Sequence, residues 1–135
     1  MSAISPSFKP AAWFIVVGCT AAAVHLGMVM ALVGQLGAAP LLANVVGWLV
    51  AFIVSFSGHY LLTFRGSQAP LARAAGRFFS ISAAGFAVNE LAYALALRWG
   101  GLRYDITLAA LLVLIAVLTF IASRRWAFIG KPAPP

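Results

Sequence analysis

Four long apolar runs occupy most of this 135-residue chain. They cover about Ala11–Gln35, Leu41–Phe64, Phe78–Trp99 and Ile106–Phe128. Each run reaches the roughly 20 residues that a helix needs to cross the hydrocarbon core of a bilayer. Only 8% of the residues are charged, whereas about a quarter are charged in an ordinary soluble domain. The sequence therefore predicts an all-α integral membrane protein with four transmembrane helices and no soluble catalytic domain.

The second half of the chain repeats the first at an offset of 64 residues, without a gap. Phenylalanine makes up ten of the 135 residues, so three Phe–Phe matches at one offset exceed chance pairing. Each repeat contains two runs and returns the chain to its starting side, so both repeats share one orientation. We predict two tandem parallel two-helix repeats, at about 11–66 and 75–130, within a single domain spanning 1–135. The matches are Phe14 with Phe78, Phe56 with Phe120, Phe64 with Phe128, Gly37 with Gly101, and Gly66 with Gly130.

The distribution of basic residues predicts the topology. A four-span arrangement places seven basic residues on one side and only Arg98 and Arg103 on the other. By the positive-inside rule, both termini and the middle loop face the cytoplasm. The net charge of +7 is then a topology signal with attraction to anionic lipids, and we expect no nucleic-acid partner. The seven residues are Lys9, Arg65, Arg73, Arg77, Arg124, Arg125 and Lys131.

Residue types needed for catalysis or metal binding are scarce. Cys19 is the only cysteine, which excludes an intrachain disulfide and a cysteine-based metal site. His25 and His59 fall in different runs without carboxylates at ligand spacing, and no metalloprotease, P-loop or serine-hydrolase motif is present. We therefore expect no enzyme activity, no metal and no cofactor. The first run is longer than a signal-peptide core, so we expect it to remain as a span.

Glu90 is the only acidic residue within the four runs. A charged carboxylate at this depth costs several kcal/mol unless it is neutral, paired or in a wet cavity. Asn89 aligns with His25 in the repeat, so we predict a polar cluster of His25, Asn89 and Glu90 between spans one and three. His25 then acts as the cation facing Glu90 or as a member of a proton relay. The alternative is an interhelical hydrogen bond that only fixes packing.

Spans two and four carry polar side chains at matching positions. In span two these follow helical spacing, and Ser55 and His59 align with Thr119 and Ser123 of span four. The match predicts a shared groove that opens toward the cytoplasm, although hydroxyl side chains in such helices often bond their own backbone. The polar positions of span two are Asn44, Trp48, Ser55 and His59.

Small residues in spans one and three predict where helices approach closely. Gly18, Ala21 and Ala22 of span one align approximately with Ser82 and Gly85 of span three. The residues between Leu71 and Arg77, which precede span three, place two arginines four apart. We expect that segment to be an amphipathic lead-in on the inner membrane surface.

Spans two and four both end in basic and aromatic residues, at positions that align in the repeat. Arginine suits bidentate contact with phosphate, and Tyr and Trp suit the headgroup region. The alternative is a set of positive-inside anchors with an aromatic belt. The candidate lipid-phosphate ligands are Arg65, Arg77, Arg124, Arg125, His59, Tyr60 and Trp126.

Four segments of the sequence are distinctive, namely Trp13–Gly18, Ser55–Phe64, Arg77–Phe79 and Ser123–Phe128. Together they resemble the GtrA-like family of small four-span membrane proteins, and the resemblance covers about Ala12 to Gly130. One difference is His59 and Ser123, where the family commonly has Asn. The resemblance implies a bacterial inner-membrane protein that moves polyprenyl phosphate, or its sugar-linked form, for glycosylation of surface polysaccharides. Such movement needs a polar path for the headgroup, and the candidates for this translocation path are Glu90, Asn89, His25, Asn44, Ser55, Thr119 and Ser123.

Two other functions remain open at the level of sequence. A membrane glycosyltransferase could use this chain as a non-transporting partner, which would need no polar path. A small proton-coupled multidrug exporter also has four spans and a membrane carboxylate, but usually in its first span, where this chain has His25. The sugar, the direction of movement, the energy source and a homo-oligomeric state are not determined by the sequence.

Overall fold

The structure, a computed structural model, describes residues 8–63 and 70–127, and within them the side chains of 12–62 and 70–118. These ranges contain four α-helices, one π-helical turn and short connections, and no strand occurs in them. The π-helical turn continues the second helix without a break. The elements are α1 (Phe8–Leu36), α2 (Pro40–Gly58), the π-helical turn (His59–Thr63), α3 (Leu71–Trp99) and α4 (Tyr104–Ala127).

Three of the helical segments are long and apolar enough to cross a membrane, namely Ala12–Leu36, Pro40–Leu62 and Leu71–Trp99. A shorter apolar segment, Tyr104–Leu118, belongs to α4. Large apolar side chains on the outer surfaces of the helices are exposed, as expected for contact with lipid. The chain is therefore an all-helical, multi-pass membrane protein.

Two short turns connect the helices at one end of the bundle, which we call the turn end. Gly37 (φ 64°) and Gly101 (φ 61°) both adopt the left-handed conformation that favours glycine. After α1, the amide of Gly37 donates to the carbonyl of Val33, and the amide of Ala38 donates to that of Leu32. The first of these is the bond of an αL cap, in which the glycine amide returns to the carbonyl four residues earlier, and it ends α1 shortly before α2 begins at Pro40.

The helices form a ring in which each packs against the next, and α4 closes the ring on α1. Each helix contributes one fully buried residue to the core near the turn end: Val29, Ala43, Tyr93 and Leu108. The Tyr93 hydroxyl donates to the backbone carbonyl of Tyr104 at 3.0 Å, which ties α3 to the start of α4. The core thus fixes the four helices relative to one another beside the turns.

The closest approach of two helices lies between α1 and α2. A Cβ atom added at Gly47 would lie 2.8 Å from Cδ2 of His25, and one added at Gly58 would lie 2.7 Å from Cγ1 of Val17. By contrast, a Cβ at Gly18 or Gly85 would meet no atom within 4 Å. The expectation of close packing at Gly18 and Gly85 is therefore wrong, because α1 packs mainly on α2 rather than on α3.

Helix α3 begins earlier than the third apolar run. Pro70 precedes its first residue, and the helix runs without interruption from Leu71 through the positions of Arg73 and Arg77. Both arginines are exposed. The expected lead-in is therefore the first two turns of α3 and is continuous with the span. Gly76 alone does not break the helix, and the next proline lies beyond α4.

Candidate functional site

The side chain of Asn44 joins three helices in the interior. Asn44 is fully buried on α2, and its Oδ1 lies 2.7 Å from Nε2 of His25 on α1. Its Nδ2 donates to Oδ1 of Asn89 at 2.9 Å and to Oε2 of Glu90 at 2.5 Å, both on α3. We call His25, Asn44, Asn89 and Glu90 the Asn44 cluster. His25 lies near the middle of α1, Asn44 about one turn after the start of α2, and Asn89 and Glu90 in the half of α3 nearer the turns, with the buried core toward the turn end.

The two acceptors on α3 fix the orientation of the Asn44 amide. Only the NH₂ group can donate to both Asn89 Oδ1 and Glu90 Oε2, so the Asn44 carbonyl oxygen faces His25. Nε2 of His25 must then carry the hydrogen in that contact. The Asn44 amide uses both of its hydrogens and its oxygen, and it stands as a bridge between His25 and Glu90.

Asn89 retains an unused donor inside the protein. The residue is only 4% exposed, and its Nδ2 has no hydrogen-bond partner among the described side chains and backbone. Leaving a buried donor unpaired costs about 1–3 kcal/mol. Glu90, its neighbour in the chain, is half-buried. The Asn44 cluster thus presents an unpaired amide hydrogen and a partly accessible carboxyl group, which are suited to a polar ligand or water.

Helix packing explains the position of His25. Gly47 follows Asn44 by three residues, and its missing side chain leaves room for the His25 ring and for the backbone oxygen of His25. Val29 packs against the same glycine one turn further along α1. His25 is therefore held against α2 where its ring meets Asn44.

A cavity of about 160 Å³ lies next to the Asn44 cluster. We call it the central cavity; α1, α2 and α3 all contribute to it. Trp48 crosses from α2 and donates its indole hydrogen to Oγ of Ser82 on α3 at 2.9 Å. His25 belongs to both features, so the cavity borders the Asn44 cluster. The lining residues are Ala21, Ala22, His25, Trp48, Ala51, Phe52, Ser55 and Ser82.

Aromatic rings fill the contact between α2 and α3. Trp48 stacks on Phe86, with ring centroids 4.5 Å apart and planes at 11°. Phe52 meets Phe79 edge to face at 5.3 Å, and Phe56 lies 5.8 Å from Phe78. Such pairs add stability beyond their buried area. The rings extend from the central cavity toward the end of the bundle opposite the turns.

His59 and Tyr60 continue this aromatic row in the π-helical turn. His59 is 6% exposed, and its ring centroid lies 4.8 Å from that of Phe14 and 5.7 Å from that of Phe78. Tyr60 lies 5.8 Å from Phe56. His59 is therefore enclosed between α1 and α3. Arg77, the other described member of the candidate phosphate ligands, is exposed near the start of α3.

The structure brings together His25, Asn89 and Glu90, which the sequence placed in one cluster. It differs in the element that joins them. Asn44 of α2 bridges the others, and no direct His25–Glu90 contact occurs among the described side chains. Ser55 lies in the wall of the central cavity. The candidates whose side chains are outside the described residues are Arg65, Thr119, Ser123, Arg124, Arg125 and Trp126.

Two contributors were not singled out by the sequence. Gly47 and Ala51 share a face of α2 with Asn44, at spacings of three and seven residues, and a small-residue stripe of this kind was a usable signal. The Trp48–Ser82 bond joins residues on different helices, so no local pattern reveals it. In the described part of the chain, no group of three or more His, Cys, Asp or Glu residues is arranged to hold a metal ion.

The family model "GtrA/DPMS, transmembrane domain" matches residues 13–128, which is most of the chain. The chain belongs to this family. The GtrA/DPMS family is associated with processes that involve polyprenyl-linked sugars, and its members are generally non-catalytic membrane proteins. No curated protein and no solved structure matches the chain.

Proposed function

We propose that this GtrA/DPMS-family protein moves polyprenyl phosphate, or polyprenyl phosphate linked to a sugar, between the two leaflets of its membrane. The observation that carries the proposal is the Asn44 cluster. It places four polar side chains in the interior of three apolar helices and leaves the Nδ2 donor of Asn89 unpaired among the described residues. Polar groups at membrane depth are costly and mark transport pathways by default.

The Asn44 cluster and the central cavity together supply a polar route for a headgroup. Glu90 and Ser55 lie at its two ends among the described residues. We propose that Thr119 and Ser123 extend the route along α4 toward the end opposite the turns. The prenyl chain remains in lipid, against the exposed apolar surfaces of the helices.

The phosphate is proposed to bind at the end of the bundle opposite the turns. Arg77 is exposed there, and Tyr60 lies at the end of the aromatic row. Arginine forks match phosphate oxygens, and phenol and indole rings favour the headgroup region. The remaining ligands in this proposal are His59, Arg65, Arg124, Arg125 and Trp126.

The proposal includes a repeated architecture. Two features of the described structure support the repeat. Gly37 and Gly101 have nearly the same positive φ, and α2 and α4 begin at Pro40 and Tyr104, which are 64 residues apart. We propose a single domain of two parallel repeats, at about 11–66 and 75–130, with both termini in the cytoplasm of a bacterial inner membrane. Anionic lipids, a membrane glycosyltransferase and a second copy of the chain are its proposed partners.

A vesicle assay tests the transport. Purified protein is reconstituted with a fluorescent polyprenyl phosphate linked to one hexose, and the fraction accessible to an impermeant quencher is followed. Transport makes all of the lipid accessible, whereas empty vesicles expose only the outer leaflet. A protein that leaves the inner pool protected, yet co-purifies with a glycosyltransferase, is a recruiting partner instead. Export of a cationic drug with no lipid movement identifies the multidrug alternative.

A further inference from the structure

The central cavity is larger than a hydration site and smaller than a typical ligand pocket. Its 160 Å³ far exceeds the roughly 10–15 Å³ that one water molecule needs, and it falls below the roughly 300–1,000 Å³ of pockets for drug-sized ligands. It is open rather than sealed. Three alanines, Ala21, Ala22 and Ala51, create the space because no larger side chain fills it.

The hydroxyl hydrogens of the central cavity are not used by the described part of the protein, although Oγ of Ser82 accepts from Trp48. Thr20, Ser80 and Thr107 each donate to the backbone carbonyl four residues earlier, which is the usual bond of a hydroxyl in an apolar helix. Neither Ser55 nor Ser82 donates such a bond, and no acceptor for either hydroxyl hydrogen occurs among the described residues. Both side chains line the cavity. They are therefore available to a ligand.

The remaining lining suits a neutral ligand with both polar and apolar faces. Trp48 is held in place by its bond to Ser82 and by stacking on Phe86, so its ring is a rigid apolar wall. Phe52 adds a second aromatic surface. Among the described residues, no Lys, Arg, Asp or Glu lines the cavity. A phosphate would find neither a Lys nor an Arg among the described lining residues, whereas a hydroxylated ring would find donors, acceptors and apolar surface.

We propose that the central cavity binds the sugar of a polyprenyl-phosphate-linked monosaccharide, while the phosphate stays outside it. Ser55 and Ser82 exchange hydrogen bonds with the sugar hydroxyls, and Trp48 and Phe52 contact its C–H faces. The volume has room for one sugar ring, so the further residues of a longer glycan would lie outside it. This inference rests on the proposed function, because it concerns the cargo of the same route.

Competition between two lipids tests the assignment. Purified protein in nanodiscs is mixed with equal amounts of a polyprenyl monophosphate and the same lipid carrying one hexose (glucose, galactose or mannose in turn). Native mass spectrometry then measures the ratio bound. We expect at least one hexose lipid to be preferred by about fivefold or more, the effect of a single hydrogen bond. A disaccharide on the same lipid should bind no better than the monosaccharide.

Matched variants separate the cavity from the rest of the protein. Ser55→Ala and Ala22→Leu should remove the preference for the hexose lipid, and Ala22→Leu should do so with the affinity for the bare lipid unchanged. Ser57→Ala and Ala23→Leu are the controls, because both residues are exposed and neither lines the central cavity. They should keep the preference.

The outcomes distinguish the inference from the function on which it rests. If the wild-type protein binds the bare lipid as well as every hexose lipid, the sugar assignment is wrong and movement of a bare carrier stands. If neither lipid binds, both proposals fail. A loss of bare-lipid binding in Ala22→Leu assigns the cavity to the prenyl chain and overturns the inference. An unchanged preference in Ser55→Ala and Ala22→Leu overturns it too.

Discussion

Gly47 and His25 are in contact across the α1–α2 interface, and the contact leaves no space for a single additional methyl group. A Cβ at Gly47 would lie 2.8 Å from Cδ2 of His25 and 3.0 Å from its backbone oxygen. The ring could turn aside, but the backbone could not. This close approach sets the distance at which His25 meets Asn44, so the geometry of the Asn44 cluster depends on a residue that has no side chain.

Gly47→Ala should therefore destabilise the protein and disturb the Asn44 cluster. Overpacking of this kind costs about 1–3 kcal/mol. We expect a lower midpoint of thermal denaturation in detergent than for the wild-type protein. Gly27→Ala is the control, because a Cβ there meets nothing within 4 Å and alanine favours a helix. Equal midpoints for the two variants would contradict the packing described for α1 and α2.

Asn44 and Glu90 should show strong energetic coupling. Asn44→Asp replaces the amide nitrogen with an oxygen, at a position 2.5 Å from the Glu90 carboxyl oxygen. We expect a loss of about 1–3 kcal/mol of stability, because a buried hydrogen bond becomes an unfavourable contact. Adding Glu90→Gln should restore part of this loss, since a Gln amide can donate to Asp. Thermal denaturation of the two single variants and the double variant measures the coupling.

Simple additivity in that cycle would show that the two side chains do not touch. Residues in contact differ from additivity by about 0.5–3 kcal/mol. Asn44→Asp combined with Ser57→Ala serves as the reference pair, because Ser57 is exposed and has no contact with the Asn44 cluster.

The sequence alone predicts the helices and groups three members of the Asn44 cluster. It does not predict that Asn44 is the residue that joins them. Polar side chains stand out in apolar runs, so the sequence alone is enough to group Glu90, Asn89 and His25. Asn44 falls in a polar stripe on span two instead. Its central place depends on how α2 rotates and how closely α1 approaches, and both depend on Gly47 and Gly58. The small-residue stripe of α2 points to Gly47, but nothing local distinguishes Gly58 from the other glycines of the chain.

The proposed topology predicts the accessibility of two loops. A cysteine introduced at Ala38, in the first turn, should react with an impermeant thiol reagent in intact cells, because that turn is proposed to lie outside. A cysteine at Gln68 should react only after permeabilisation. Cys19 is exposed on the helix surface, so it is first replaced by alanine. The reverse labelling pattern would invert the proposed orientation.

Arg124 provides the sharpest test of lipid-phosphate binding. Arg124→Gln should weaken binding of polyprenyl phosphate and abolish surface glycosylation, with the protein still present in the membrane. Arg98→Gln is the control, since Arg98 lies at the turn end and is exposed. Full activity of Arg124→Lys would mean that charge matters and bidentate geometry does not. Full activity of Arg124→Gln as well would make the residue a membrane anchor.

Glu90→Gln tests whether the carboxyl group itself is needed. A Gln side chain keeps an oxygen that can accept from Asn44, so we expect the variant to insert and fold normally. What it loses is the ability to gain and release a proton. Transport in vesicles should therefore fall, and a proton-coupled carrier should lose the pH dependence of its transport rate.

A structural role of Glu90 predicts a different pair of results. The variant would then lose thermal stability, while the remaining transport would keep its dependence on pH. Asn89→Asp is a useful companion, because it removes the unpaired Nδ2 donor and leaves Glu90 in place. If Glu90→Gln transports at the wild-type rate with unchanged stability, neither role holds. The polar route through the Asn44 cluster would then have to be abandoned, because its only ionisable carboxyl group would be dispensable.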